Sequence, residues 1–533
     1  MGIKGLARFI NENADDFLLP EVLDCGVLVL DGYNILHDLY YTSAAETAYG
    51  GDYDVFADAV EQFCKKLRDN GIEPYFIFDG SSDLLDAKFN TQKERAKKRI
   101  HLAGMSSHRK RAKILPALAF KVCVEKLKEL NIKLCVCDHE ADDQLASVAY
   151  QWNCPLVSSD GDFLLFDLPA GVIFVKDLME ATTTTHNGSD VLKAPVYKIS
   201  RFCDFYKIKD SSLVSLLSVI CGNDCFAEAI LSPFRRSLQG NTTVFDHKKF
   251  LQWLAKYNST DEALKGIFSI QPRSEKLQQR IHTVLQSYKV SANHVGDFLE
   301  SSKVTHDYVH VLHSKLPAEF WRRYRCANIS KRLLEILIFK RRIISVQMEK
   351  MSNPSAWVIS QSIRKKTYQI LSASTDDGIA SVREYDRICK DLVPSDVAVD
   401  TASTDLSLVE LYSNSEMERL ELFYSTLGIS DSDIIDITSY EKRGINILTS
   451  VIVYWIRNSQ PQVHKIHVMA LLVCIIRLSL IEPLLSQEDR VSLQTARYSH
   501  RPTQDQKHKL GLDLNIIHAL SQFQCVLSDS LDC

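Results

Sequence analysis

The stretch "IKLCVCDHEADDQLASVAYQWNCPLVSSDGDF", residues 132–163, reads as strand, helix and strand in succession. Its apolar runs "IKLCVCD" (132–138) and "CPLVSSD" (154–160) have the length and bounds of buried strands. Between them Ala141, Leu145, Val148, Ala149 and Trp152 recur at helical spacing, and "NCP" stops the helix. Two strands joined by a helix imply a right-handed crossover between parallel neighbours.

Working outward, "GVLVLD" (26–31), "PYFIFDG" (74–80) and "GVIFVKD" (171–177) are further strand signals. Phe56, Val60, Phe63, Cys64 and Leu67 mark one face of a helix between the first two. The expected fold class is α/β: a central, mostly parallel sheet flanked by helices, followed by an all-helical C-terminal region. Domains are expected at 1–235, with a basic helical cap at 86–115, at 236–347, and at 357–533 with a linker near 394–406. Polar stretches at 181–192 and 348–356 also read as linkers.

Bulk properties narrow the class. The 533 residues, 45% hydrophobic and 24% charged, have ordinary globular values. The net charge of −4 averages an acidic region with a basic one and so indicates no partner. The 14 Cys contain no CxxC pair, and Cys135 and Cys137 alternate within a strand-like run as core residues do. No signal peptide is visible, and Leu6 stands where a myristoylation signal needs Ser or Thr. The apolar run 468–485 is broken by Arg477, Glu482 and Pro483, so it reads as a buried helix. A soluble intracellular protein without a membrane partner is expected.

From His139 to Leu168 the chain carries six carboxylates and no Lys or Arg. Asp31, Asp79, Asp160 and Asp162 follow strand runs, and Glu140, Asp142 and Asp143 open a helix. The C-terminal ends of parallel strands form the crevice where open α/β sheets bind ligands. Asp224, in "VICGNDCF", could close the ring. Any one of these acids can be a helix cap. Together they conflict, because two carboxylates ~5 Å apart repel by roughly 3 kcal/mol at an effective dielectric near 20. Bound cations resolve the conflict, and all-oxygen ligation selects Mg²⁺ or Mn²⁺. Two such ions ~3.5–4 Å apart make a phosphoryl-transfer site with water as nucleophile.

A basic segment follows Asp79. Residues 88–113 carry ten Lys/Arg against Glu94 alone. Lys88, Lys93, Arg95, Lys97, Lys98 and Arg99 form one cluster, and Arg109, Lys110, Arg111 and Lys113 a second. Rising over the acids, they read as a nucleic-acid contact; a solvated helix or a nuclear-localisation run is the alternative.

"MGIKGLARFI", "VLVLDGYNILH", "FIFDG", "HEADD", "SSDGDF" and "LLSVICGNDC", in this order, resemble the flap endonuclease/XPG (PIN-like) superfamily of structure-specific nucleases. "YGGDYDVFADAV" and "WNCPLVSSDGDFLLFDL" look closest to its asteroid homologue family. The resemblance implies a first metal at Asp79, Glu140 and Asp142, with Asp31 acting through water. It implies a second metal at Asp160, Asp162 and, more remotely, Asp224. It places Lys88 and Arg95 on the scissile phosphate, Gly2 beside the site, and His37 on the base at the cut; a buried, hydrogen-bonded His37 is the alternative. Asp143 receives no role. Two departures stand out: the Gly-rich hairpin that grips duplex DNA has no counterpart in "CGNDCFAEAILSPFRRSLQG", and the interval from Asp79 to Glu140 is short for a full helical arch.

The expected function is therefore a Mg²⁺-dependent DNA endonuclease of nuclear DNA repair. Its substrates would be single-stranded, overhang, flap-like or otherwise branched DNA, with protein partners on the C-terminal helices. A catalytically weak scaffold and an RNA nuclease are the alternatives.

Overall fold

The computed structural model describes residues 2–24, 26–84, 86, 88–105, 113–186, 189–223, 226–242, 245–290, 294–302, 316–400, 406–430, 443–477, 486, 489 and 512–532. The strands of its central sheet are β1 (Leu18–Leu23), β2 (Val27–Asp31), β3 (Glu73–Phe78), β4 (Leu134–Val136), β5 (Leu156–Val157), β6 (Val172–Ile173), β7 (Thr182–His186) and β8 (Ser189–Tyr197). They lie in the order β1-β8-β6-β5-β2-β3-β4, with β7 also paired to β8. The five strands expected from the apolar runs are β2 to β6, and they pair in parallel. β1 and β7 add antiparallel pairings to β8, so the sheet is mixed.

The stretch expected as a linker at 181–192 is this β7–β8 hairpin. Its run of β-branched threonines suits a pleated surface, although its polarity hid it.

The helices that matter for the site are α1 (Gly32–Thr42), α2 (Tyr53–Asp69), α3 (Phe89–Met105), α4 (Asp142–Gln151), α5 (Glu275–Gln286), α6 (Ala318–Arg325), α7 (Lys331–Phe339), α8 (Gln361–Ala373) and α9 (Leu514–Asp532). α2 buries Phe56, Val60, Phe63, Cys64 and Leu67, the face marked by the periodicity. Alternation divides each strand between two cores: Val29, Ile77, Cys135 and Leu156 enter one, Leu28, Leu30, Phe76, Phe78, Val136 and Val157 the other. Burial on both faces explains why the strands read as continuous apolar runs.

The second core does not stop at the sheet's own helices. Phe320, Trp321 and Tyr324 of α6 and Leu333, Leu334, Ile336 and Leu337 of α7 share it. The C-terminal region is mainly helical, but it also holds a sheet of order β11-β10-β9, formed by β9 (Arg341–Ile343), β10 (Ser381–Ile388) and β11 (Asp391–Ala398). The linker expected near 394–406 thus begins inside a strand, and 401–405 lie outside the described residues. Pro394, opposite Tyr385 on edge strand β11, produced the linker reading.

A buried ion-pair network ties this region together. Asp529 of α9 accepts from Arg342 at 2.6 Å, Ser360 at 2.7 Å and Arg364 at 3.0 Å. Arg364 grips Glu384 of β10 through two hydrogen bonds of 2.7 and 2.9 Å. α9 in turn packs against residues 48–50, and its Gln524 bonds the Tyr53 hydroxyl. No helix among the described residues is long and apolar enough to cross a membrane.

Candidate active site

The acids meet because of strand order. β5, β2, β3 and β4 are consecutive neighbours, and adjacent strands lie about 4.8 Å apart. Asp160 follows β5, Asp31 ends β2, Asp79 follows β3, and Glu140 and Asp142 follow β4. Between β2 and β5 the order reverses, since β2 has its sequence successor β3 on one side and β5 on the other. This is the switch point at which open sheets form a ligand crevice.

Each carboxylate is held by short-range contacts. Asp31 caps α1: its side chain accepts from the Asn34 backbone N–H at 3.1 Å and from Ser158 Oγ at 2.8 Å. Asp79 accepts from the Ala141 N–H at 2.9 Å, which pins the start of α4 beside β3. Asp160 accepts from the Asp162 N–H at 3.2 Å, and Asp162 accepts from the Tyr288 hydroxyl at 2.8 Å. Asp143 turns onto its neighbour Gln144, accepting from its N–H and side-chain amide. Gly2 lies close against Asp160: its φ is +77°, and a Cβ there would fall 2.2 Å from Asp160 Oδ1.

Electrostatics show the cost of this convergence. Asp31 is pushed up to about 7, first by burial and then by the charge of Asp79, with Asp160 adding to it. Burial also raises Glu140 and Asp142, with further repulsion from Asp79. Two lysines bring positive charge beside them. Lys88 lies 3.0 Å from Glu140 and 3.8 Å from Asp142. Lys331, from α7, lies beside Asp79 and Glu140.

Asp31, Asp79, Glu140, Asp142 and Asp160 are therefore brought together, and Asp162 joins them through Asp160. Asp224 lies outside the described residues, as do Arg109 and Arg111. α3 runs beside the crevice with Lys88 just before its first turn. The charge of Arg99 faces His37 and Tyr41, and Arg95 lies next to Arg99. His37 is half-buried and stacks on Tyr41; burial, then Arg99, lowers its pKa to about 4, so it is neutral at physiological pH. Lys98 is exposed. The Lys93 ammonium sits 4.6 Å from the centre of the Phe89 ring and 6.0 Å from that of Tyr385, on the side of the small sheet.

The sequence reading missed Asn34, Ser158, Tyr288 and Lys331. Asn34 and Ser158 lie inside quoted motifs, and their value as partners of a strand-end Asp was legible there. Tyr288, just past the end of α5, and Lys331, in α7, lie far along the chain and carry no local signal.

The donor set suits a hard divalent ion: the converging side chains are carboxylates, and burial, with repulsion from Asp79, raises three of them. Among the described residues no three acids, His or Cys already form a metal-binding group. The crevice opens into a cleft of about 450 Å³ lined by Lys88, Glu140, Asp142, Asp162, Tyr288 and Lys289 among others.

A pH dependence follows. An acid whose folded-state pKa lies above its ordinary 3.8 favours folding fully below that value, and this contribution is lost as pH rises through about 7. Metal-free protein is expected to melt at progressively lower temperature from pH 5 to pH 8 in EDTA, and Mg²⁺ should remove most of the difference. Differential scanning calorimetry at the two pH values checks this.

The XPG N-terminal domain matches residues 1–101, the XPG domain containing family 115–315, and the Asteroid N-terminal domain 445–509. The human protein named single-strand DNA endonuclease ASTE1 is 28% identical over 564 aligned positions, covering 99% of this chain and 81% of its own. Protein asteroid of Drosophila melanogaster is 32% identical over 169 residues, 32% of this chain and 20% of its own. Among solved structures, the catalytic core of Rad2 with DNA substrate covers 57% of this chain and 88% of its own at 14% identity, with a TM-score of 0.32. The chain thus carries XPG domain matches along its first 315 residues and an Asteroid domain match at 445–509, and it is similar to the ASTE1 protein over nearly its full length.

Proposed function

We propose that this chain is a divalent-metal-dependent endonuclease that hydrolyses phosphodiester bonds in single-stranded, overhang or flap-like DNA, and that it acts in nuclear DNA repair. The observation that carries this reading is the row of acids at four adjacent strand ends, drawn from distant parts of the sequence and buried close enough together to repel one another. The names of the ASTE1 relatives support DNA as the substrate.

Asp79, Glu140 and Asp142 would hold one ion, and Asp160 and Asp162 a second, with Asp31 nearby. Mg²⁺ or Mn²⁺, when bound, lowers the pKa of water and neutralises charge on the scissile phosphate. The chain's own residues do the rest. Lys88 brings a cation to the rim of the acids, where a phosphate would lie. Tyr288 and Ser158 donate to Asp162 and Asp31 and fix their orientation. Gly2 lets the backbone approach Asp160 where a side chain would collide with it. Arg95, Lys98 and Arg99 offer a basic track along α3 for the DNA backbone, with Arg109 and Arg111 continuing it in sequence.

A second reading, a catalytically weak scaffold with the nuclease fold, is favoured by one observation: the Lys88 ammonium already lies 3.0 Å from Glu140. One experiment separates the two. End-labelled flap, overhang and single-stranded substrates, as DNA and as matched RNA, are incubated with Mg²⁺ and with EDTA. Metal-dependent cutting of the DNA set is expected; preference for RNA would reassign the substrate, and no cutting of either would leave the scaffold.

A further inference from the structure

The chain from Ser330 to Ile343 lies beyond the residues matched by the XPG families, yet it reaches the acids. Lys331 is the first residue of α7. Its Nζ lies 3.4 Å from the main-chain oxygen of Asp79 and 4.4 Å from the centre of the Tyr33 ring, and it bonds the Tyr33 hydroxyl. A lysine at the first position of a helix works against the helix dipole. Burying its ammonium is unfavourable unless an opposite charge is near. Burial does oppose the charge, but Tyr33, Asp79 and Glu140 together hold its pKa above the ordinary value.

The same stretch grips the loop after β3 on both sides of this contact. Glu335 accepts from the Ser82 N–H. Arg341 pairs with Asp86 through both guanidinium nitrogens and lies 3.6 Å over the centre of the Phe89 ring, at the first residue of α3. Helix α7 is thus clamped to the segment that carries Asp79 and Lys88, and Lys331 has a fixed place rather than a free surface rotamer.

We propose that Lys331 is a positioning residue of the acid crevice, a built-in monovalent cation supplied from outside the XPG-matched part of the chain, which moderates the crevice's pull on divalent ions and admits polyanionic DNA. The inference rests on the nuclease reading above. It makes a prediction of opposite signs. Removing the ammonium leaves more uncompensated negative charge, so a divalent ion binds more tightly while DNA binds more weakly. Mere loss of packing would weaken both.

The test uses the full chain with Lys331→Gln, Lys331→Met and Lys331→Arg. Mg²⁺ affinity is measured by calorimetry, and affinity for a single-stranded oligonucleotide by fluorescence anisotropy in EDTA. Lys331→Gln is expected to bind Mg²⁺ about threefold or more tightly and DNA about threefold or more weakly, while Lys331→Arg keeps both wild-type values. Should Lys331→Gln lack a cooperative melting transition, Lys331→Met, which keeps an unbranched apolar stem, is expected to give the same opposite shifts. Unchanged affinities, or a parallel weakening of both, overturn the role assigned to Lys331. A wild-type protein that neither binds Mg²⁺ nor cuts DNA overturns the nuclease reading itself, and this inference with it.

Discussion

Asp160→Asn is expected to yield a folded protein that no longer cuts DNA, with turnover reduced by at least about 10³-fold. The figure follows from what the charge does: each 1.36 kcal/mol of lost transition-state stabilisation is a factor of ten, and a ligand to a catalytic ion contributes several kcal/mol. The fold should survive because the substitution is isosteric. The amide oxygen can still accept from the Asp162 N–H, and the position loses one negative charge from a crowded crevice. Binding of single-stranded DNA should be equal or slightly tighter, since a repelling charge is gone. Asp79→Ala should abolish cutting as well, but at some cost in stability, because the Ala141 N–H loses its acceptor. Turnover of a labelled overhang substrate, beside melting curves and anisotropy, checks all three quantities. Wild-type cutting by Asp160→Asn would remove this crevice from the reaction.

The largest effect on stability is expected at the other end of the chain. Asp529 is the shared acceptor of Arg342 and Arg364, and all three side chains are almost fully buried. Burial opposes its charge, yet the two guanidinium groups hold its carboxyl below the ordinary value. Asp529→Ala leaves two buried cations without their shared carboxylate, a loss of about 3–5 kcal/mol. Because α9 also packs against residues 48–50 and bonds Tyr53, the damage should spread to the half of the protein that carries the acids. Guanidinium unfolding followed by tryptophan fluorescence checks this; a loss below about 1 kcal/mol would show that the network is dispensable.

These two sites also mark how far the sequence can be read. Residues 26–177 showed their strands because parallel strands buried on both faces are written as unbroken apolar runs, and their ends showed because acids follow them directly. The convergence of Asp31, Asp79, Glu140 and Asp160 followed from the rule for open sheets, without any pairwise contact being visible. What stayed hidden depends on partners distant in the chain. Tyr288 orients Asp162 from 126 positions away, and Lys331 reaches Asp79 from 252. No local pattern encodes either. The strands β7 and β11 were missed for another reason: they are edge or hairpin strands, polar on one side, and their Thr and Pro content suits linkers equally well. The contact of Lys93 with the Tyr385 ring was hidden for the first reason, since Tyr385 stands far along the chain.

The contact between α9 and the turn before α2 has a consequence for how the molecule is made. Tyr53 and Gln524 stand 471 positions apart, and a ribosome adds about 5–20 residues each second. Once Asp162 has been made, about 20–70 s pass before Gln524 follows, and over that time the nascent chain carries its acids without the helix that packs against residues 48–50. The ribosome sets the order of assembly: the part that resembles a nuclease is made before the helix that packs against it.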